Sequence, residues 1–220
     1  MSSEVLLGRT VKALLQGGII CDYADRELAD YLSEEDNRER VRAFLQPLNR
    51  DVRATTDGRA WIPVYASIND ATDRSEVRQS FKLVANQIEP LVGWLRLVMI
   101  AQQRPEPIVM GDTLYDGDLT KQLDQVPHLM QQLEVILGKG PFRKSINKDS
   151  PRWVRDGVTH IFEKLTEMGF FVKPGGTGAA YRATGKWSWL YDMMDYIQSK
   201  EGIPVEDPGS GDEHRQTSIF

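Results

Sequence analysis

The chain carries a single cysteine, Cys21, in 220 residues. That excludes an internal disulfide and a cysteine-built zinc site, and it fits a reducing compartment. Three histidines are present, His128, His160 and His214. None stands at metal-ligand spacing from another histidine or from the cysteine. No run of about 18 apolar residues occurs, so no segment reads as a membrane span. The opening Met-Ser-Ser-Glu-Val has no basic stretch ahead of an apolar one and does not read as a signal peptide. Gly-x-Ser-x-Gly is absent. Gly175-Gly176-Thr177-Gly178 leads into a strand-like run instead of a helix, and Gly138-Lys139-Gly140-Pro141 lacks the Ser or Thr, so neither is a phosphate loop. The formal charge is −5, which argues against a globally basic nucleic-acid binder. What is present is ordinary globular material. Hydrophobic residues make up 40%, and five Trp, seven Phe and seven Tyr can supply a core.

Leu7, Val11, Leu14 and Leu15 stand at helical spacing, and Gly17-Gly18 ends that helix. Ile19-Ile20-Cys21 reads as extended. A short helix is expected over 26–32, with Leu28, Tyr31 and Leu32 on one face. Ser33 reads as the N-cap of a further helix to about 49, faced by Val41, Phe44, Leu45 and Leu48. Two β-like runs, 51–55 and 60–65, flank Thr56-Asp57-Gly58-Arg59 and read as a hairpin, with Pro63 marking an edge strand. Three helices followed by a hairpin is the winged-helix order.

A long helix follows, capped by Asp73. Val77, Phe81, Val84, Ile88, Leu91, Leu95 and Val98 form its apolar stripe. Pro90 predicts a kink or a restart within it. Residues 102–117 read as loop, with weakly signalled helices at 119–123 and 127–137. Ser150-Pro151 reads as an N-cap with proline at the first helical position. Val154, Val158, Ile161, Leu165 and Met168 are the apolar stripe of that helix, and Gly169 is its C-cap. Strands at 170–173 and 179–183 follow. Thr184 caps a last helix faced by Leu190, Met193, Met194 and Ile197. The fold class is therefore mostly α with small β-hairpins, α+β, with two winged-helix domains in tandem. The expected divisions are an N-terminal domain over 1–72, the long helix with a C-terminal domain over 73–202, and an acidic disordered tail over 203–220.

No catalytic constellation stands out, and no enzyme, cofactor or metal is expected. The charge is informative by region. Residues 22–40 hold eight acids and three bases, a net of −5, on the helix-turn-helix of the first unit. Phosphates are repelled there. Residues 139–164 hold seven bases and three acids, a net of +4, ahead of and within the recognition-like helix of the second unit.

Order and spacing together resemble the MukE family, and more closely its shorter MksE branch, across roughly 5–205. Three stretches carry the resemblance: Leu14-Leu15-Gln16-Gly17-Gly18-Ile19-Ile20 before an acidic short helix, the hairpin over 52–65 with Asp57-Gly58, and the run over 154–172 with Met168-Gly169-Phe170 and the Gly-rich turn to Tyr181. These are kite subunits, kleisin-interacting tandem winged-helix proteins of bacterial SMC-like condensins. The resemblance implies a non-enzymatic, cytoplasmic, nucleoid-associated homodimer. It implies binding to a MukF- or MksF-like kleisin, and through it to a MukB- or MksB-like SMC ATPase, in chromosome organisation and segregation or in plasmid defence. In that family the cleft between the two domains grips the kleisin. By position, the DNA-contact candidates are Lys139, Arg143, Lys144, Lys148, Arg152 and Arg155, acting weakly or within the complex. Leu91, Leu95, Trp187 and Trp189 are candidate exposed apolar contacts for the partner. The alternative is a tandem winged-helix transcription regulator, which the acidity of 22–40 argues against.

Overall fold

The computed structural model describes residues 2–67, 71–175 and 180–201. Residues 176–179 of the Gly-rich turn and the expected acidic tail lie outside them, as do the side chains of Asp73, Glu76, Phe81 and Val84. The protein is mostly helical with small antiparallel sheets, an α+β fold.

The first unit opens with α1 (Ser3–Leu15), α2 (Arg26–Ser33) and α3 (Glu35–Leu45). A 3-10 turn (Gln46–Leu48) leads into the hairpin of β1 (Arg50–Ala54) and β2 (Trp61–Tyr65). Leu7, Leu14, Leu28, Leu32, Val41 and Leu45 close its core. Leu15, Phe44 and Leu48 do not join it and stay exposed. Ser33 is not the cap the sequence suggests, because its hydroxyl donates to the Asp30 carbonyl. The Arg38 guanidinium reaches back to donate to the Leu32 and Ser33 carbonyls at 2.8 and 2.7 Å, closing the end of α2. Ile20 exchanges two backbone hydrogen bonds with Trp61, on the edge of β2 away from β1.

α4 (Ala71–Ala101) runs unbroken through Pro90, so the helix does not restart there. Proline has no N–H for the Asn86 carbonyl four residues back. Gly140 closes over this spot with φ +48°; a Cβ on it would lie 3.4 Å from that carbonyl oxygen and 3.0 Å from Pro90 Cγ. Pro90 thus becomes a contact for the chain that crosses it.

The second unit follows as β3 (Thr113–Tyr115), α5 (Asp116–Asp124), α6 (Pro127–Leu137), a 3-10 turn (Gly140–Phe142), α7 (Trp153–Glu167), β4 (Phe171–Val172), β5 (Ala180–Ala183) and α8 (Lys186–Glu201). β3 lies in the segment that reads as loop. It pairs with β5, giving the sheet order β3-β5-β4. α7 starts three residues after Ser150, whose Oγ accepts from the Arg152 N–H within a turn. Thr184 does cap α8, accepting from the Lys186 N–H at 3.2 Å. Gly169, at φ +81°, follows the C-cap of α7, where an L side chain is strained. Leu91, Trp94, Leu97 and Val98 of α4 pack against Phe142, Val158, Ile161, Phe162 and Trp187 in one large core.

The two units share one order: helix, strand, helices, strand, strand. In each, the first strand pairs with the third. In the first unit the first strand is reduced to Ile20, and in the second it is β3.

The turn of the first hairpin is seated on the start of α8. Ser188 Oγ donates to Asp57 at 2.6 Å, and the Thr56 N–H donates to Asp192 at 2.9 Å. Beneath them Cys21, Ala60 and Met110 form a small buried cluster, and the Gly185 N–H donates to Cys21 Sγ at 3.2 Å. Partial burial works to raise the Asp57 carboxyl. Hydrogen bonds from Ser188, Thr55 and the Arg59 backbone outweigh it and hold the group below its ordinary value. A carboxyl depressed on folding adds stability above about pH 4, and that stability is lost as the pH falls through the folded value. Asp57→Ala is expected to cost about 1 kcal/mol at neutral pH, since the turn is solvent-exposed. It should also flatten the decline of Tm with acid. An acid limb as steep as that of the parent would count against the contact.

Candidate functional site

Two concave features carry the chemistry. The first is a polar groove of about 480 Å³ along the first turns of α7. Lys144 from the preceding loop, and Arg152 and Arg155 from the start of α7, bring three cations to it. Asp116 of α5, with Asp156 and Glu163 of α7, brings three carboxylates, so the groove is balanced rather than basic. His160 stands at its wall. Burial first, then the charges of Lys144 and Lys164, hold its imidazole below the ordinary value, while Glu163 and the backbone at Phe142 act the other way. Its Nε2 is buried without a hydrogen-bond partner.

Of the six basic candidates, the structure brings Lys144, Arg152 and Arg155 together. Lys139 is turned to Glu89 of α4, and Lys148 to Glu134 of α6, each in an ion pair. Arg143 is exposed and lies outside the groove. Lys144 Nζ donates to the Asp156 carbonyl at 3.3 Å, which leans it over the first turn of α7.

The second feature is a cleft of about 350 Å³ between the two units. Leu15 and Ile19 form one side, Ile62 and Val64 of β2 the floor, and Trp189 of α8 the other side. Its cations are Arg50 and Lys186, and no carboxylate lines it. Arg50 lies over the Tyr65 ring at 3.7 Å. Lys186 donates to the Met168 carbonyl at 2.6 Å and sits between the Phe170 and Trp189 rings. Burial lowers its ammonium from the ordinary lysine value.

No family model matches the chain, and no curated protein matches it.

The apolar candidates divide. Leu91, Leu95 and Trp187 are buried in the large core and present no surface to a partner. A stripe that looks available in sequence is here consumed by packing in that core. Trp189 is only partly buried and lines the cleft. Arg50, Tyr65 and Lys186 were not singled out in sequence. The Arg50–Tyr65 pair could have been found by reading the hairpin register outward from its turn, since the two residues face each other across the strands. Lys186 carried no such signal. Among the described residues, no group of three or more His, Cys, Asp or Glu is arranged to hold a metal. No helix among them is long and apolar enough to cross a membrane.

Proposed function

We infer that the chain is a tandem winged-helix protein of the kite kind, a non-enzymatic, cytoplasmic and nucleoid-associated subunit that dimerises and binds a MukF- or MksF-like kleisin. The observation that carries this reading is the repeated order of helix, strand, helices and two strands, with the first strand on the third in both units. A winged-helix sheet pairs its strands in this way, which supports the reading. The cleft between the units supports it further. Its apolar floor, its Trp189 wall and its two cations without a carboxylate suit an extended protein segment carrying apolar and acidic side chains. The kleisin in turn joins the subunit to an SMC-like ATPase, in chromosome organisation and segregation or in plasmid defence. The test is affinity capture of the full chain from its native cells, followed by mass spectrometry. Recovery of a kleisin and an SMC-like ATPase is expected, and failure to recover either defeats the reading. Nanomolar, sequence-selective DNA binding by the purified chain at physiological salt would instead favour a transcription regulator.

DNA contact belongs to the assembled complex, at Lys144, Arg152 and Arg155. Replacing these three by Glu is expected to weaken DNA binding by the complex and to lower its log–log salt slope by about two to three units. Filter binding across a salt series reads both. An unchanged slope would make the groove a solvated surface.

A further inference from the structure

The cleft between the two units offers an apolar surface and a cation that no acid meets. Leu15, Ile62, Val64 and Trp189 line it, and no carboxylate does. Leu15 is 46% exposed, and all five residues of β2 stay half-buried, so the described chain leaves this face partly open. Lys186 donates to the Met168 carbonyl and lies against two aromatic rings, but it makes no ion pair among the described residues. A half-buried ammonium in such a setting is stabilised by a carboxylate brought to it.

The chain continues past α8 through residues 202–220, with four acids and one base. Length decides which of these can reach the cleft. α8 begins at the cleft with Lys186 and Trp189 and extends over 16 residues, about 24 Å. An extended chain spans at most about 3.5 Å per residue, so Ile203 and Val205 reach back no further than about 14 Å. Residues 202–211 together span up to roughly 35 Å, enough for the return. Asp212-Glu213 follows directly, and Ile219-Phe220 comes seven residues later. That order sets two acids ahead of two apolar side chains, matching the cation and the apolar floor of the cleft.

We propose that residues 212–220 of the chain fold back into its own cleft, with Asp212 and Glu213 at Lys186 and Ile219 and Phe220 against Leu15, Ile62 and Trp189. A tether of this length holds the segment at a millimolar effective concentration, so even a weak fit occupies the cleft. A separate protein segment enters only by displacing it. The cleft is the one in which the functional reading seats a kleisin, and the chain's own tail thus competes with that partner.

The test uses the full purified chain. Cys21 is buried, so a nitroxide placed on Ser218→Cys labels one site. The Trp189 indole N–H signal, assigned with Trp189→Phe, is expected to be lost by paramagnetic broadening and to return when the label is reduced. Asp212→Lys with Glu213→Lys, or Ile219→Ser with Phe220→Ser, should restore it while the label stays active. A synthetic peptide of residues 212–220 should bind the variant chains several-fold more tightly than the parent. An unbroadened Trp189 signal in the parent overturns the proposal and leaves the cleft to another protein. So does broadening that survives both tail variants, or that grows with protein concentration and so reports the tail of a second copy. A tail that docks in a chain capturing no kleisin leaves this inference standing and removes the functional reading; kleisin capture with an unbroadened signal does the reverse.

Discussion

Replacing Phe162 by alanine is expected to destabilise the protein by about 4 kcal/mol. Phe162 is fully buried on α7. Its ring lies edge-on to Trp94 at 5.4 Å, stacked on Tyr181 at 4.3 Å and tilted to Phe171 at 5.4 Å. One side chain thus ties the long helix α4 to the helix and to two strands of the second unit. Its three ring neighbours are rigid planes that cannot collapse into the vacated space, so a cavity persists and the cost falls within the range for a buried phenylalanine. The expected drop in Tm is roughly 10 °C for a chain of this size. Urea unfolding followed by circular dichroism measures the free energy directly. A loss below about 1 kcal/mol would mean that the ring cluster is not the centre of the core.

The second large effect is expected at Gly185, the residue just before α8. A Cβ there would sit 2.3 Å from Ala60 Cβ and 3.1 Å from Cys21 Cβ. Neither neighbour has a rotamer to turn away, so relief requires the hairpin turn to lift from α8. Gly185→Ala is expected to cost about 3 kcal/mol by overpacking. Adding Ala60→Gly removes the opposing methyl and should recover at least about 1 kcal/mol. A single variant as stable as the parent, or a double variant no better than the single, would show that the hairpin and the last helix are not in tight contact.

The elements that could be read from sequence are those with a strong local period or a strong local stop. The α7 stripe of Val154, Val158, Ile161 and Leu165 is buried as its spacing implies. α6 spans the residues expected of it, and the Asp57-Gly58 turn closes the expected hairpin. β3 was hidden for a physical reason. It is three residues long and exists only through pairing with β5, so nothing in its own composition marks it. Ser33 and Ser150 misled because a side chain suited to capping also suits an ordinary turn: the Ser33 hydroxyl donates to the Asp30 carbonyl, and the Ser150 hydroxyl accepts from the Arg152 N–H. The basic run over 139–164 was legible as charge. Its geometry was not, because Glu89 and Glu134, which turn Lys139 and Lys148 aside, come from helices distant in sequence. The cleft was illegible for the same reason, being made by α1, β2 and α8 together.

The docking of the first hairpin onto α8 also sets an order of events in time. Asp57 and Ser188 are 131 positions apart, and Cys21 and Gly185 are 164 apart. During synthesis the N-terminal unit emerges whole while the surface that receives its turn has not yet been made. Ala60 and Cys21, both buried in the finished protein, lack their Gly185 neighbour throughout that interval. Contacts of such long separation are slow to close. The hairpin unit, made before α8, is therefore completed only once α8 is in place.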